Sequence, residues 1–199
     1  MVLTREERLV HAEKSLIALS AGDAFGDQFF MLDNRNVSPE TGVPPAPWAW
    51  SDDTEMACSV VDVLRRFGEI DQDALAEAFA ERFDIGRRYG AGAFELLERI
   101  QRGDHWHRAS RELFDGKGSF GNGNRISAQD TVPFALWAAA TRLTDYEAAV
   151  RACVMVGGDM DTTAAIVGGV VGAHLGPDGI PSAWRKSREP LPGWLTNAT

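Results

Sequence analysis

The sequence predicts an all-α protein, a compact single domain in which helices pack as an orthogonal or bundle-like array. Three observations predict it. Apolar residues recur at helical spacing in segment after segment, capping residues and glycines punctuate those segments, and no stretch alternates apolar and polar residues as a strand would. The 199 residues, 44% of them hydrophobic, suffice to bury a substantial core, and no linker divides them, so 1–199 forms one domain. There is no repeat of fixed period and no low-complexity tract.

The elements follow in order. Thr4 with Glu7 makes a capping box, and Leu9, Ala12, Leu16 and Leu19 continue at helical spacing, so the first helix is expected to end near Ala21, where Gly22-Asp23-Ala24-Phe25-Gly26 begins. Residues 33–50 are rich in Pro, Gly and Asn and lack periodicity, which predicts a loop ending at Trp48 and Trp50. After Asp53, the spacing of Met56, Val60, Val63, Leu64 and Phe67 predicts a helix that Gly68 stops. Leu75, Phe79 and Phe83 mark another, Phe94, Leu97 and Ile100 a third, and His105 to Phe114 a shorter one. Residues 115–124 carry four glycines in ten positions and form a break. Asp130 or Thr131 can cap the next helix, with Pro133 in its first turn. Thr144 with Glu147 makes a second capping box for a helix to about Val156. The last strong helix, 162–175, mixes Ile166, Val167, Val170 and Val171 with Gly168, Gly169 and Gly172, small residues that lower helix propensity and imply close helix-to-helix approach at the centre of the molecule. Gly176-Pro177 ends it.

A formal net charge of −9 without a run of Lys or Arg argues against a surface that grips nucleic acid or anionic lipid. No stretch of about 18 apolar residues and no signal-like N-terminus is present, so a soluble, intracellular, cytoplasmic protein is expected. Cys58 and Cys153, the only cysteines, lie far apart among apolar helical neighbours and are expected to be buried rather than redox-active.

Chemistry concentrates in two acidic motifs, Ser51-Asp52-Asp53-Thr54 and Asp159-Met160-Asp161-Thr162-Thr163, each placed where a helix begins. One such motif alone is usually a helix cap, because the free N–H groups and the macrodipole favour negative charge there. Two of them change the reading. Brought together, four carboxylates and their hydroxyl neighbours form an all-oxygen site whose repulsion divalent cations relieve, and four negative charges balance two dications. Hard oxygen donors without a Cys or His set favour magnesium or manganese, with calcium as the alternative. Gly157-Gly158 would let the backbone approach another group closely. The glycine loop Ser119-Phe120-Gly121-Asn122-Gly123 can present N–H groups to a phosphate. His105 and His107 face different ways on a helix and are surface residues, and Asp130 is a cap rather than a metal ligand.

The chain resembles the ADP-ribosylglycohydrolases related to dinitrogenase reductase activating glycohydrolase. The resemblance rests on Ala21-Gly22-Asp23-Ala24-Phe25-Gly26, Trp50-Ser51-Asp52-Asp53-Thr54-Glu55-Met56-Ala57, Ser119-Phe120-Gly121-Asn122-Gly123, Asp130-Thr131-Val132-Pro133-Phe134-Ala135-Leu136-Trp137 and Gly157-Gly158-Asp159-Met160-Asp161-Thr162, in that order along nearly the whole chain. It implies an all-helical fold with two Mg²⁺ or Mn²⁺ ions held by Ser51, Asp52, Asp53, Asp159, Asp161 and Thr162. It implies hydrolysis of the bond between ADP-ribose and an attached group, a protein side chain or a small conjugate, with ADP-ribose or an ADP-ribosylated molecule as partner. Ser119, Phe120, Gly121, Asn122 and Gly123 match the segment that holds the substrate's phosphates and distal ribose. Asp52, Asp53 and Asp161 are the candidate catalytic carboxylates, Asp52 or Asp53 as the bridging or water-orienting group. Two departures stand out: Phe30 occupies the position where many relatives place a glutamate, leaving Asp27 or Asp33 as substitutes, and the middle of the chain is shorter than in relatives.

Three other readings use the same residues. Asp159-Met160-Asp161-Thr162-Thr163 fits the Asp-x-Asp-x-Thr signature of haloacid-dehalogenase-like phosphatases, but that fold needs a strand before the motif where this chain has a glycine pair. A helical, metal-dependent phosphatase acting on a phosphorylated ADP-ribose is the second. A non-catalytic ADP-ribose binder is the third.

Overall fold

Helix α1 begins as its capping box dictates: Glu7 N donates to Thr4 Oγ1 at 3.2 Å, and Thr4 N donates to the Glu7 carboxylate at 2.8 Å. The computed structural model describes residues 3–113 and 128–196. The glycine-rich break at 115–124, Phe114 and the candidate substrate residues Ser119, Phe120, Gly121, Asn122 and Gly123 lie outside them.

The first helix does not stop at Ala21. It runs over Arg5–Asp27, because Gly22 and Gly26 are sites of close packing and not breakers. Helix α8, Met160–Leu175, crosses α1 backbone to backbone. A Cβ on Gly22 would lie 2.3 Å from the Ala164 carbonyl oxygen, and one on Gly172 would lie 1.9 Å from Ala18 Cβ. The helix-propensity cost of these glycines is offset by dispersion contact that any larger residue would abolish. Ala18, Ala21, Ala24, Ala164, Val167 and Val171 are fully buried around this crossing.

Helix α2, Asp52–Phe67, has Ser51 as its N-cap and Gly68 as its left-handed stop at φ 79°. Helices α3 (Gln72–Arg82), α4 (Ala91–Gln101) and α5 (Trp106–Glu112) follow, with Phe83 just outside α3 and edge-on to Tyr89 and Phe94. His105 caps α5 and is exposed, as is His107. Helix α6, Ala128–Thr141, begins earlier than its sequence suggests, so Asp130 and Thr131 are inside it and Pro133 is its sixth residue instead of a first-turn residue. Helix α7, Tyr146–Val156, is capped by Asp145, whose carboxylate accepts from Ala148 N at 3.0 Å. Thr144 is therefore not the cap, and Glu147 pairs with Arg151 one turn on instead. Two short helices, α9 (Ser182–Ser187) and α10 (Gly193–Thr196), close the chain.

The loop before α2 is anchored by aromatics. Phe25 stacks on Trp184 at 3.8 Å between centroids, Trp48 meets both rings edge-on, and all three are buried. Arg151 adds two hydrogen bonds to the carbonyls of Pro39 and Gly42. Among the described residues the only strand-like pairing is a parallel bridge between Trp48 and Arg188. Cys58 and Cys153 are buried and free. No helix among them is long and apolar enough to cross a membrane.

Candidate metal centre

The last turn of α1 meets the first turns of α2 and α8, and each helix delivers carboxylates to the meeting point. On α1 the 3.6-residue period puts Asp23 and Asp27 on one face and Phe25 on the other, so the helix separates the acidic site from the aromatic nest. Asp23 is fully buried. Its Oδ1 accepts from Ser51 Oγ at 2.7 Å, and its Oδ2 accepts from Ser51 N at 2.9 Å, from Thr54 N at 3.1 Å and from the Thr54 hydroxyl. A carboxylate from a distant helix thus completes the N-terminal cap of α2.

Asp53 is joined to the second acidic motif. Thr162 Oγ1 donates to Asp53 Oδ2 at 3.0 Å, and Ser51 Oγ reaches the same oxygen at 3.4 Å. One oxygen from each of Asp23, Asp53 and Asp161 lies within 4.8 Å of the other two. Asp161 Oδ1 accepts from Thr162 N at 2.9 Å. Asp52 and Asp159 flank this group, half-buried, outside the three-oxygen set. Asp159 is the N-cap residue of α8 with no side-chain capping bond. Gly157 and Gly158 both have φ of +76°, and a Cβ on either would meet no described atom within 4 Å. Both supply the left-handed backbone that launches α8.

The electrostatics follow from crowding like charges out of water. Burial pushes the carboxyl of Asp23 to about 6 against its hydrogen bonds, that of Asp52 to about 7 and that of Asp53 well above the ordinary range, with neighbouring carboxylates adding to each. Asp159 is raised to about 6, by burial first and Asp161 second. The donor set, carboxylate and hydroxyl oxygen alone, fits a hard divalent cation, and the unrelieved repulsion is what such a cation would neutralise.

Two residues here were not candidates on sequence grounds. Asp23 reads as a loop residue when α1 is ended at Ala21; the signal for it was an acid among small apolar residues. The other is Arg88, which pairs with Asp27. Of the two substitutes offered for the absent glutamate, Asp27 is 1% exposed and close enough to Asp161 and Asp23 for their charges to raise its carboxyl, which burial chiefly pushes to about 7. Asp33 is exposed, and Phe30 is 47% exposed.

The chain matches the ADP-ribosylglycohydrolase profile over residues 4–128 and 121–199. The chain belongs to the ADP-ribosylglycohydrolase family. Among this family's members, ADP-ribosylhydrolase ARH3 of Xenopus tropicalis is 38% identical over 78 residues, which is 37% of this chain and 22% of that protein. The Danio rerio ARH3 is 37% identical over 92 residues, 44% of this chain and 24% of the relative. Human ARH3 is 29% identical over 100 residues, 46% of this chain and 28% of the relative. The matched stretches thus span well under a third of these relatives. A solved structure of an ADP-ribosylglycohydrolase-related protein complex superimposes with a TM-score of 0.58 at 21% identity, covering 92% of this chain and 94% of the other. That likeness shows that the two chains share an all-α fold.

Proposed function

We propose that this chain is a metal-dependent hydrolase that cleaves the bond between ADP-ribose and an attached group, using two Mg²⁺ or Mn²⁺ ions. The observation that carries the reading is the convergence of Asp23, Asp53 and Asp161 from three helices onto one point, in a chain of this family. Asp53 and Asp161 would hold the cations with Asp23 behind them, and Ser51, Asp52, Asp159 and Thr162 complete the oxygen-rich rim. When bound, such cations polarise ligand oxygens and lower the pKa of a coordinated water.

The chain's own groups do the rest. Asp23 fixes the first turn of α2 so that Asp53 faces inward, and Thr162 holds the rotamer of Asp53 through its hydroxyl. Asp52, half-buried, orients the attacking water toward the anomeric carbon and takes its proton on a carboxylate oxygen as the bond from that carbon to the attached group breaks. The leaving group departs with the bonding pair and takes a proton from solvent. The segment Ser119 to Gly123 binds the pyrophosphate in this reading, supplying binding energy remote from the bond that breaks.

The test uses chain stripped with EDTA and reloaded with Mg²⁺ or Mn²⁺, incubated with peptides ADP-ribosylated on arginine or serine and with a phosphorylated ADP-ribose. Free ADP-ribose released only with metal supports the hydrolase. Inorganic phosphate as the only product would make it a phosphatase instead, and calorimetric binding of ADP-ribose without product from any conjugate would make it a binder.

A further inference from the structure

Among the described residues, Arg88 is the one non-glycine residue with a positive φ, +65°. A side chain in that region is strained, so something has to offset the cost. The offset is visible at the other end of the residue. Arg88 Nη2 reaches Asp27 Oδ1 at 2.5 Å, the guanidinium remaining 42% exposed while Asp27 is 1% exposed. Among the described residues this is the only ion pair made by any of the six carboxylates Asp23, Asp27, Asp52, Asp53, Asp159 and Asp161.

The loop that carries Arg88 is held from several sides. Glu55, buried in α2 three residues after Asp52, accepts from Asp84 N at 3.0 Å and from the Tyr89 hydroxyl at 2.8 Å. Arg87 lies over the Trp50 ring at 3.3 Å and makes a two-pronged pair with Glu189 at 2.8 and 2.9 Å. The neighbouring arginine thus commits both terminal nitrogens to Glu189 and Trp50, and Arg88 is the one that faces the acidic site. A buried carboxylate without a partner is costly, and removing one member of a buried pair leaves the other's charge exposed to a low-dielectric surrounding.

We propose that Arg88 is a positioning residue that acts as a tethered counter-cation: its guanidinium occupies Asp27 and so restrains how tightly the carboxylate cluster takes up divalent metal. The proposal rests on the cluster being a metal site. A fixed positive charge paired with a carboxylate that lies close enough to Asp161 and Asp23 to feel their charges repels an incoming cation, and Asp27, held by the guanidinium, is withheld from the ligand set. With Arg88 gone, Asp27 becomes an additional buried carboxylate that an incoming cation can neutralise in competition with a proton.

The experiment is Mn²⁺ titration of the EDTA-stripped chain, reading free Mn²⁺ by electron paramagnetic resonance, with no substrate present. Arg88→Gly, which keeps the left-handed backbone without strain, is expected to bind Mn²⁺ about tenfold more tightly than the natural chain. Arg88→Lys, which retains the charge, is expected to stay within about threefold of it. The double variant Asp27→Asn with Arg88→Gly is expected to lose the gain. Unchanged or weaker Mn²⁺ binding by Arg88→Gly overturns the proposal while leaving the metal site standing, and failure of both the natural chain and Arg88→Gly to bind Mn²⁺ removes the metal site and the proposal together. If Arg88→Gly unfolds without metal, restoration of its thermal midpoint by Mn²⁺ supports the proposal and failure to restore it counts against it.

Discussion

Thr162 Oγ1 and Asp53 Oδ2 are 3.0 Å apart, and the hydrogen bond between them joins the first turn of α8 to the first turn of α2 across 109 residues of sequence. It is the direct link between the two acidic motifs, and its acceptor is one of the three clustered carboxylates. Thr162→Val keeps the shape and removes the donor. Because a hydrogen bond to a charged group is worth about 1.5–3 kcal/mol, Mn²⁺ affinity measured by calorimetry is expected to fall about tenfold or more. The metal-free chain is expected to lose stability as well, by about 1–3 kcal/mol, because a part-buried Asp53 oxygen is left without its donor.

The raised carboxyls make the metal-free chain less stable as pH rises. Asp23 and Asp159 are raised to about 6 and Asp27 and Asp52 to about 7, from an ordinary value near 3.8. Between pH 4 and 7 the folded chain therefore binds more protons than the unfolded one, so this contribution is present in full below about pH 4 and is lost as pH rises through 6 to 7. Glu189, held low by Arg87, acts oppositely: its contribution is present above its ordinary 4.5 and is lost in acid. Urea denaturation in EDTA should show greater stability at pH 5 than at pH 7.5, and Mg²⁺ or Mn²⁺ should stabilise far more at pH 7.5. Metal-free stability that is flat or rising over that interval would contradict the crowding of these charges.

Gly22→Ala tests the crossing that places the site. In an exposed helix this change stabilises by about 0.5–1 kcal/mol. Here the new Cβ would sit 2.3 Å from the Ala164 carbonyl oxygen, so the helices must part and the sign reverses. A loss of about 2–3 kcal/mol in chemical denaturation is expected.

Asp23→Ala should destabilise the metal-free chain by about 3 kcal/mol or more, since it strands the hydroxyls and N–H groups of Ser51 and Thr54 in a buried setting. Asp23→Asn, which keeps an acceptor oxygen, should recover most of that loss. Equal stability of the two variants in thermal denaturation would show that Asp23 does not build the start of α2.

The helices and the two acidic motifs were legible because their signals are local: periodicity, a capping box at Thr4 and Glu7, a left-handed glycine at Gly68, and hydroxyl-acid motifs where helices start. What was not legible depends on long-range contact. Gly22 and Gly26 look like breakers in isolation, and only the backbone of α8 lying against them explains why α1 continues to Asp27. The truncated helix hid Asp23, whose partners are 28 and 31 residues away. Capping at Asp145 instead of Thr144 reflects a one-residue choice between two competent side chains, settled by which reaches Ala148 N. Arg88 left no local trace, since its backbone conformation and its partner Asp27 are both set by tertiary structure.

The most direct measurement of the central claim is calorimetric Mn²⁺ titration of the stripped chain at pH 7.5, beside Asp53→Asn and Asp161→Asn. These residues come from different helices and are held to share the same cations, so the natural chain is expected to take up two equivalents and each single variant to lose at least about tenfold in affinity while remaining folded. A natural chain that binds no Mn²⁺, or an Asp161→Asn chain that binds it as the natural one does, would contradict the account.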